Sequence, residues 1–261
     1  MEAGSGPTVL LVHSSVAGAR QWRQLVSDLE DRFHLIAVNL FGYGRTPAWS
    51  GRSAQKLEDQ ARLVEAIAPK GNRKFSLIGH SFGGSVAMKA AAKLGALVDR
   101  LILLEPNPFY LLEQHGRHEA FGESVGLRDC VKNNGKADRW PVAAERFANY
   151  WGGDGTWAAM PDERRATFVE AMKPNFHEWD AVMNEATTLR EWADRLPENT
   201  VVVSARETVR PIREIAELMQ EHCPAWRYEQ IPEGGHMAPL THPDIVNPLL
   251  ASILEGTKNR A

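Results

Sequence analysis

Cysteine is scarce in this chain: Cys130 and Cys223 are its only two in 261 residues. Two thiols make no disulfide framework, so a reducing, cytoplasmic setting is the expectation. A basic surplus is missing too. Thirty Lys and Arg stand against 33 Asp and Glu, for a net charge of -3, which leaves no excess cations to neutralise phosphates along a strand; nucleic acid drops out as a partner. No apolar run approaches the roughly 20 residues that cross a bilayer, the longest being stretches such as Val9–Val12 and Leu101–Leu104, so no membrane span is expected. The N-terminus lacks the basic segment and long apolar stretch of a secretory leader. His and Cys do not recur at zinc-binding spacings, and no glycine cluster runs into the Gly-Lys-Ser/Thr that cradles phosphate. No metal and no organic cofactor are expected.

What is present is an alternation. Short β-branched and apolar runs at Thr8–Val12, Leu35–Leu40, Phe75–Ile78 and Leu101–Leu104 read as strands, with helical patterns between them, and this implies an α/β fold with a parallel sheet and crossover helices. Within 54–67, Leu57, Ala61, Val64 and Ile67 fall on one helical stripe. Phe75–Ile78 is almost wholly apolar, as a strand covered on both faces should be. The pattern breaks after Glu105. Residues 107–195 show no clear strand, and Gly and Pro interrupt their helical stretches. They carry 12 of the chain's 21 aromatics. Strands resume at Thr200–Ser204 and Trp226–Ile231. The expected organisation is therefore a core of 1–106 and 196–261 with an inserted helical cap, or lid, at 107–195. The aromatics of the insertion have two readings: a separate small core, or the apolar wall of a pocket. Trp151, Trp157 and Tyr110 are the candidate substrate contacts.

The strongest local signal is Gly79-His80-Ser81-Phe82-Gly83-Gly84, directly after a strand pattern and before the Ala-rich helical run Ser85–Leu94. This is Gly-x-Ser-x-Gly in the context it needs: a strand turning sharply into a helix holds the serine up above the sheet, and the flanking glycines let backbones approach. The helix N-terminus beside it favours negative charge developing on a substrate oxygen. A serine hydroxyl near neutral pH is a poor nucleophile without a base. Of nine histidines, His236 in Glu233-Gly234-Gly235-His236-Met237 stands in a Gly-rich loop after the last strand pattern. His13 and His80 are tied to strand ends, His242 begins a helix, and His115, His118 and His177 lie in the insertion. The base needs an acid to fix its tautomer. Glu105 ends the strand one crossover after Ser81, and Glu207 follows the strand Thr200–Ser204; both sit at the sheet edge where carboxyl ends of parallel strands gather.

These residues resemble the α/β-hydrolase superfamily, specifically a serine hydrolase with a helical cap. Similar proteins carry His-Gly-x after an early strand with an aromatic soon after; here His13-Ser14-Ser15 and Trp22 occupy those places, with Ser14 replacing the glycine. The resemblance implies an oxyanion hole made by the backbone N–H groups of Ser15 and Phe82. Residues 39–46 look like the family's Asp-x-x-Gly-x-Gly-x-Ser loop, with Asn39 and Thr46 departing from it. Many members place an Asp three residues beyond a Gly that ends the later strand. Aligning Ala205 with that Gly puts Thr208 at the acid position, which excludes the usual acid and leaves Glu105, as in a variant branch of the family, with Glu207 as the alternative. Relatives that form alkyl-enzymes use Asp in place of Ser81. The implied activity is therefore hydrolysis of a small-molecule acyl ester or thioester, with carbon–carbon bond hydrolysis of diketone-like substrates and a non-catalytic small-molecule receptor as alternatives.

Overall fold

The computed structural model describes residues 1–256. Its seven strands form one sheet: β1 Glu2–Ala3, β2 Thr8–Val12, β3 His34–Val38, β4 Phe75–His80, β5 Val98–Leu104, β6 Thr200–Ala205 and β7 Arg227–Ile231. Their spatial order is β1-β3-β2-β4-β5-β6-β7. The two-residue β1 is antiparallel to β3, and every other pairing is parallel. At two residues, β1 is too short to leave a periodic signal in the sequence.

Helices cover both faces. α1 Arg23–Leu29, α2 Leu57–Ile67 and α3 Phe82–Leu94 follow β2, β3 and β4. Seven helices then intervene before the sheet resumes: α4 Tyr110–Gln114, α5 His118–Lys136, α6 Trp140–Gly152, α7 Thr156–Ala159, α8 Asp162–Met172, α9 Asn175–Met183 and α10 Leu189–Arg195. The chain closes with α11 Arg210–His222, α12 Ala238–Thr241 and α13 Pro243–Glu255. Element ends shift by a few residues from the sequence expectation for local reasons. α2 starts at Leu57 rather than 54 because Asp59 Oδ2 accepts the Lys56 N–H and closes the helix N-terminus. β3 stops at Val38 because the chain turns away and Leu40 N–H donates to His13 Nε2.

The period of two along each strand sorts the core into two layers. Leu10, Val12, Leu77, Leu101, Leu103 and Val202 face α2, α3 and α11, whereas Val9, Leu11, Ile78, Ile102, Leu104 and Val203 face α1 and α13. The insertion does not form a core of its own. Phe109, Leu112, Trp179 and Trp192 belong to the same buried cluster as α2, α3 and one face of the sheet, so the first reading of these aromatics is corrected. A buried cation adds a second attachment. Lys89 of α3 pairs with Glu185, beyond α9, at 2.6 Å and with Glu58 of α2 at 3.1 Å, while its Nζ stands 5.4 Å from the Trp192 ring centroid.

The β4–α3 turn leaves no room for side chains at its glycines. A Cβ on Gly79 would lie 2.2 Å from the Gly83 carbonyl oxygen, and one on Gly83 would lie 2.4 Å from both the Val12 and His13 carbonyl oxygens. These are backbone obstacles that cannot swing aside. Gly79→Ala is therefore expected to lower the unfolding free energy by about 1–3 kcal/mol or more, read as a fall in the urea midpoint. An unchanged midpoint would mean that the turn is looser than its geometry.

Candidate active site

The turn into α3 puts Ser81 at φ 54°, ψ -120°, a region that L residues rarely adopt and that costs on the order of 1–3 kcal/mol. The strained turn is anchored by Ser81 N–H donating to Leu104 O at 2.9 Å. It lifts the Ser81 hydroxyl to His236, whose Nε2 accepts it at 2.9 Å. His236 sits on a single 3-10 turn, Gly235–Met237, reached through Gly234 at φ 89°. Its Nδ1–H donates to Glu105 Oε2 at 3.1 Å.

Glu105 is wholly buried and itself strained, at φ 47°. Its charge is met by donors from the end of β6: Ala205 N–H reaches Oε1 at 2.5 Å, and Thr208 Oγ1–H donates to Oε2. Thr208, the residue at the position where the family resemblance would place an acid, is thus a hydrogen-bond donor to Glu105. The hydrogen bond to His236 Nδ1 comes from Glu105 and not from Glu207. The turn that closes with Thr208 N–H on Ala205 O aims Thr208 inward and leaves Glu207 exposed.

The loop after β2 is tethered along its length. Ser14 donates to Gln21 Oε1 from both its N–H, at 3.0 Å, and its hydroxyl, at 2.8 Å, so the residue in place of the family glycine fixes the loop through its own side chain. Gln21 Nε2 donates to His80 Nδ1 at 3.0 Å, and His80 Nε2–H donates to the His236 carbonyl at 2.9 Å. Burial holds the His80 imidazole well below its ordinary pKa, with nearby His236 adding to the effect; the neutral ring supplies the one donor and one acceptor that this chain of bonds requires. Burial likewise lowers His13 to about 4. Val16, at φ 67°, donates its N–H to Tyr43 Oη at 2.9 Å. The Ser15 amide lies between these two tethered neighbours. Phe82 opens α3, so its N–H is among those that a helix leaves without an internal acceptor.

One residue of this network carried no signal in the sequence. Glu178 of α9 is buried and accepts three hydrogen bonds: Ser15 Oγ–H at 2.5 Å, Tyr43 Oη–H at 2.7 Å and Asn175 Nδ2 at 2.9 Å. It binds the insertion to the loop that carries Ser15. A Glu three residues after an Asn on a helix reads as surface, and only the packing of α9 turns it inward.

A cavity of about 560 Å³ opens above Ser81 and His236, with Ser15, Phe82, Trp151 and Trp179 among its lining residues. Two of the three expected contacts lie outside it. Trp157 packs on Phe168, with ring centroids 6.2 Å apart, and under the Arg165 guanidinium. Tyr110 is held away by its hydroxyl, which donates to Thr187 O at 2.8 Å and accepts from Trp192 Nε1 at 2.7 Å. Among the described residues, no group of three or more His, Cys, Asp or Glu side chains is placed to hold a metal ion, and no helix is long and apolar enough to cross a membrane.

A profile of the alpha/beta hydrolase family matches residues 9–249. The chain belongs to this family. Over 92% of its length and 93% of the relative's it is 22% identical to the pimeloyl-[acyl-carrier protein] methyl ester esterase of Nitrosomonas europaea. It is 24% identical to the 2-hydroxy-6-oxo-6-(2'-aminophenyl)hexa-2,4-dienoic acid hydrolase of Metapseudomonas resinovorans, over 94% of this chain and 82% of that one. A solved esterase from Exiguobacterium antarcticum superimposes with a TM-score of 0.78 at 20% identity, covering 98% of this chain and 94% of its own; this likeness speaks to the fold. Uncharacterized proteins of Mycobacterium bovis and Mycobacterium tuberculosis are 33% identical over 113 residues, and the match spans only 30% of their length. Within this alpha/beta hydrolase the family fold accounts for the sheet, the elbow and the edge where Ser81, His236 and Glu105 meet.

Glu178 gives a testable pH signature. Burial raises its carboxyl above the ordinary value, against the opposing bonds from Ser15, Asn175 and Tyr43. A raised folded-state pKa means that the native protein binds the proton more tightly than the unfolded chain, so this group's contribution to stability is lost as pH rises through that range. The unfolding free energy of Glu178→Gln relative to the unmodified protein should therefore improve between about pH 4 and pH 7. A difference that stays flat across that interval would contradict the raised pKa.

Proposed function

We propose that the protein is a serine hydrolase that cleaves a small acyl ester or thioester through an acyl-enzyme on Ser81. The observation that carries this reading is the unbroken line of hydrogen bonds from Ser81 Oγ through both nitrogens of His236 to buried Glu105, on the floor of a cavity. In this arrangement Ser81 Oγ attacks the carbonyl carbon while His236 Nε2 takes its proton. Glu105 holds the tautomer with hydrogen on Nδ1 and stabilises the imidazolium that forms. The Ser15 and Phe82 amides receive the negative charge on the carbonyl oxygen. His236 then gives the proton to the departing alcohol or thiol. A water molecule, deprotonated by the same nitrogen, attacks the acyl-enzyme, releases the acid and restores Ser81.

The esterase among the relatives of similar length supports ester chemistry, and Trp151 is proposed as a wall against the acyl or leaving group. A second reading has a specific support of its own: the similarity to the hexadienoic acid hydrolase favours cleavage of a carbon–carbon bond in diketone-like substrates by the same three residues. A panel of acyl esters and thioesters of graded length, run beside a vinylogous diketone, separates the two.

A fluorophosphonate probe is expected to label the protein and to leave Ser81→Ala unlabelled. An unlabelled native protein would favour a non-catalytic receptor. Glu105→Gln should keep the fold and lose about 10² to 10⁴ in kcat, by analogy with removal of the acid's charge in serine proteases, whereas Glu207→Gln should stay within about twofold of the native rate. Near-native turnover in Glu105→Gln, with a collapse in Glu207→Gln, would move the role to Glu207.

A further inference from the structure

The insertion reaches the histidine as well as the cavity. Trp151, one residue from the end of α6, lays its indole against His236 with ring centroids 4.2 Å apart and planes inclined by 31°. The indole is braced from the sides by Phe147 and Tyr150, whose rings meet it edge-on at 6.0 and 4.7 Å. Its Nε1 is buried with no hydrogen-bond partner. An unpartnered buried N–H is a cost that a phenylalanine at the same place would not incur. What the indole offers in exchange is the most electron-rich face among the aromatic side chains, and it lies over the ring that becomes a cation during the proposed reaction.

We propose that Trp151 is a positioning residue that stabilises the His236 imidazolium by a cation–π contact, so that the base is fully effective only while α6 is seated over the sheet. This rests on the proposed role of His236 as general base. The charged and titratable groups facing that imidazole are few. Glu105 from the end of β5 binds Nδ1, His80 from β4 lies 5.2 Å away ring to ring and is kept neutral by burial, and Ser81 holds Nε2. Trp151 covers the ring from α6. The indole therefore supplements a single carboxylate in stabilising the positive charge, and it does so from the insertion rather than from the sheet.

Removing the aromatic face makes the imidazolium less stable, so the acid limb of the kcat/KM profile moves to lower pH while the plateau rate falls. Trp151→Leu keeps an apolar cover without a π face, and Trp151→Phe keeps a weaker one. The expected result is a plateau kcat lower by about 10- to 30-fold in Trp151→Leu, a displacement of the acid limb by about one pH unit, and intermediate values in Trp151→Phe. A residue that only walls the cavity would change KM and substrate preference and leave the limb in place; that outcome overturns the proposal. An NMR titration of the His236 ring in the native protein and in both variants provides a readout without substrate. Should no substrate turn over while the His236 midpoint still falls in the order Trp, Phe, Leu, the hydrolase reading fails and the contact stands. Should turnover be normal in the native protein and the midpoint not move in either variant, the contact fails and the hydrolase reading stands.

Discussion

A carboxylate with no solvent must find its donors inside the protein, and Glu105 is such a group. Leaving it unpaired would cost several kcal/mol, so its surroundings are constrained more tightly than those of any apolar neighbour. Two of its donors, the Ala205 amide and the Thr208 hydroxyl, come from the end of β6, and the third is His236 Nδ1 from the loop after β7. Strands β5 and β6 must therefore pair in the register that brings Leu104 level with Val203, and the Gly234-Gly235 loop must fold back across the sheet edge. The left-handed backbone at Glu105 is sustained because these bonds fix the residue from three sides.

Strain is gathered at this edge. Ser81, Glu105 and Val16 are three of the four non-glycine residues with positive φ among those described, and each stands at the end of a strand or in the loop that follows one. Such conformations persist where the surroundings over-determine them. Here the over-determination is a set of hydrogen bonds running from Ser14 through Gln21 and His80 to the His236 carbonyl, which ties the loop of the proposed oxyanion hole to the loop of the proposed base. Burial lowers the His80 pKa, which favours the neutral ring whose one donor and one acceptor this link uses.

The insertion is joined to this edge by polar as well as apolar contacts. Glu178 binds Ser15 and Tyr43, Lys89 binds Glu185, and Trp151 lies against His236. A helical segment that merely roofed the cavity would need only its apolar face. The buried carboxylate of Glu178 means instead that movement of α9 would leave the hydroxyls of Ser15 and Tyr43 without an acceptor, so the insertion and the Ser15 loop are expected to move together.

The sequence alone determined the α/β alternation and pointed to the elbow at Ser81 and to His236 as the candidate base, because each rests on local rules: a period of two or 3.6, a turn that only glycines permit, an imidazole in a Gly-rich loop. It offered Glu105 and Glu207 as candidate acids, since both end a strand at the same edge. Which of the two side chains meets His236 was decided by tertiary structure, because the direction of a side chain beyond a strand end is set by a turn whose closure depends on its neighbours. The same holds for the aromatics of the insertion. Trp151, Trp157 and Tyr110 are alike in composition, yet Trp151 lines the cavity while the other two are drawn into packing and hydrogen bonds elsewhere. Glu178 and Thr208 were legible to no periodicity: a polar side chain turns inward only when partners distant in sequence, Ser15 for one and Glu105 for the other, compensate it there.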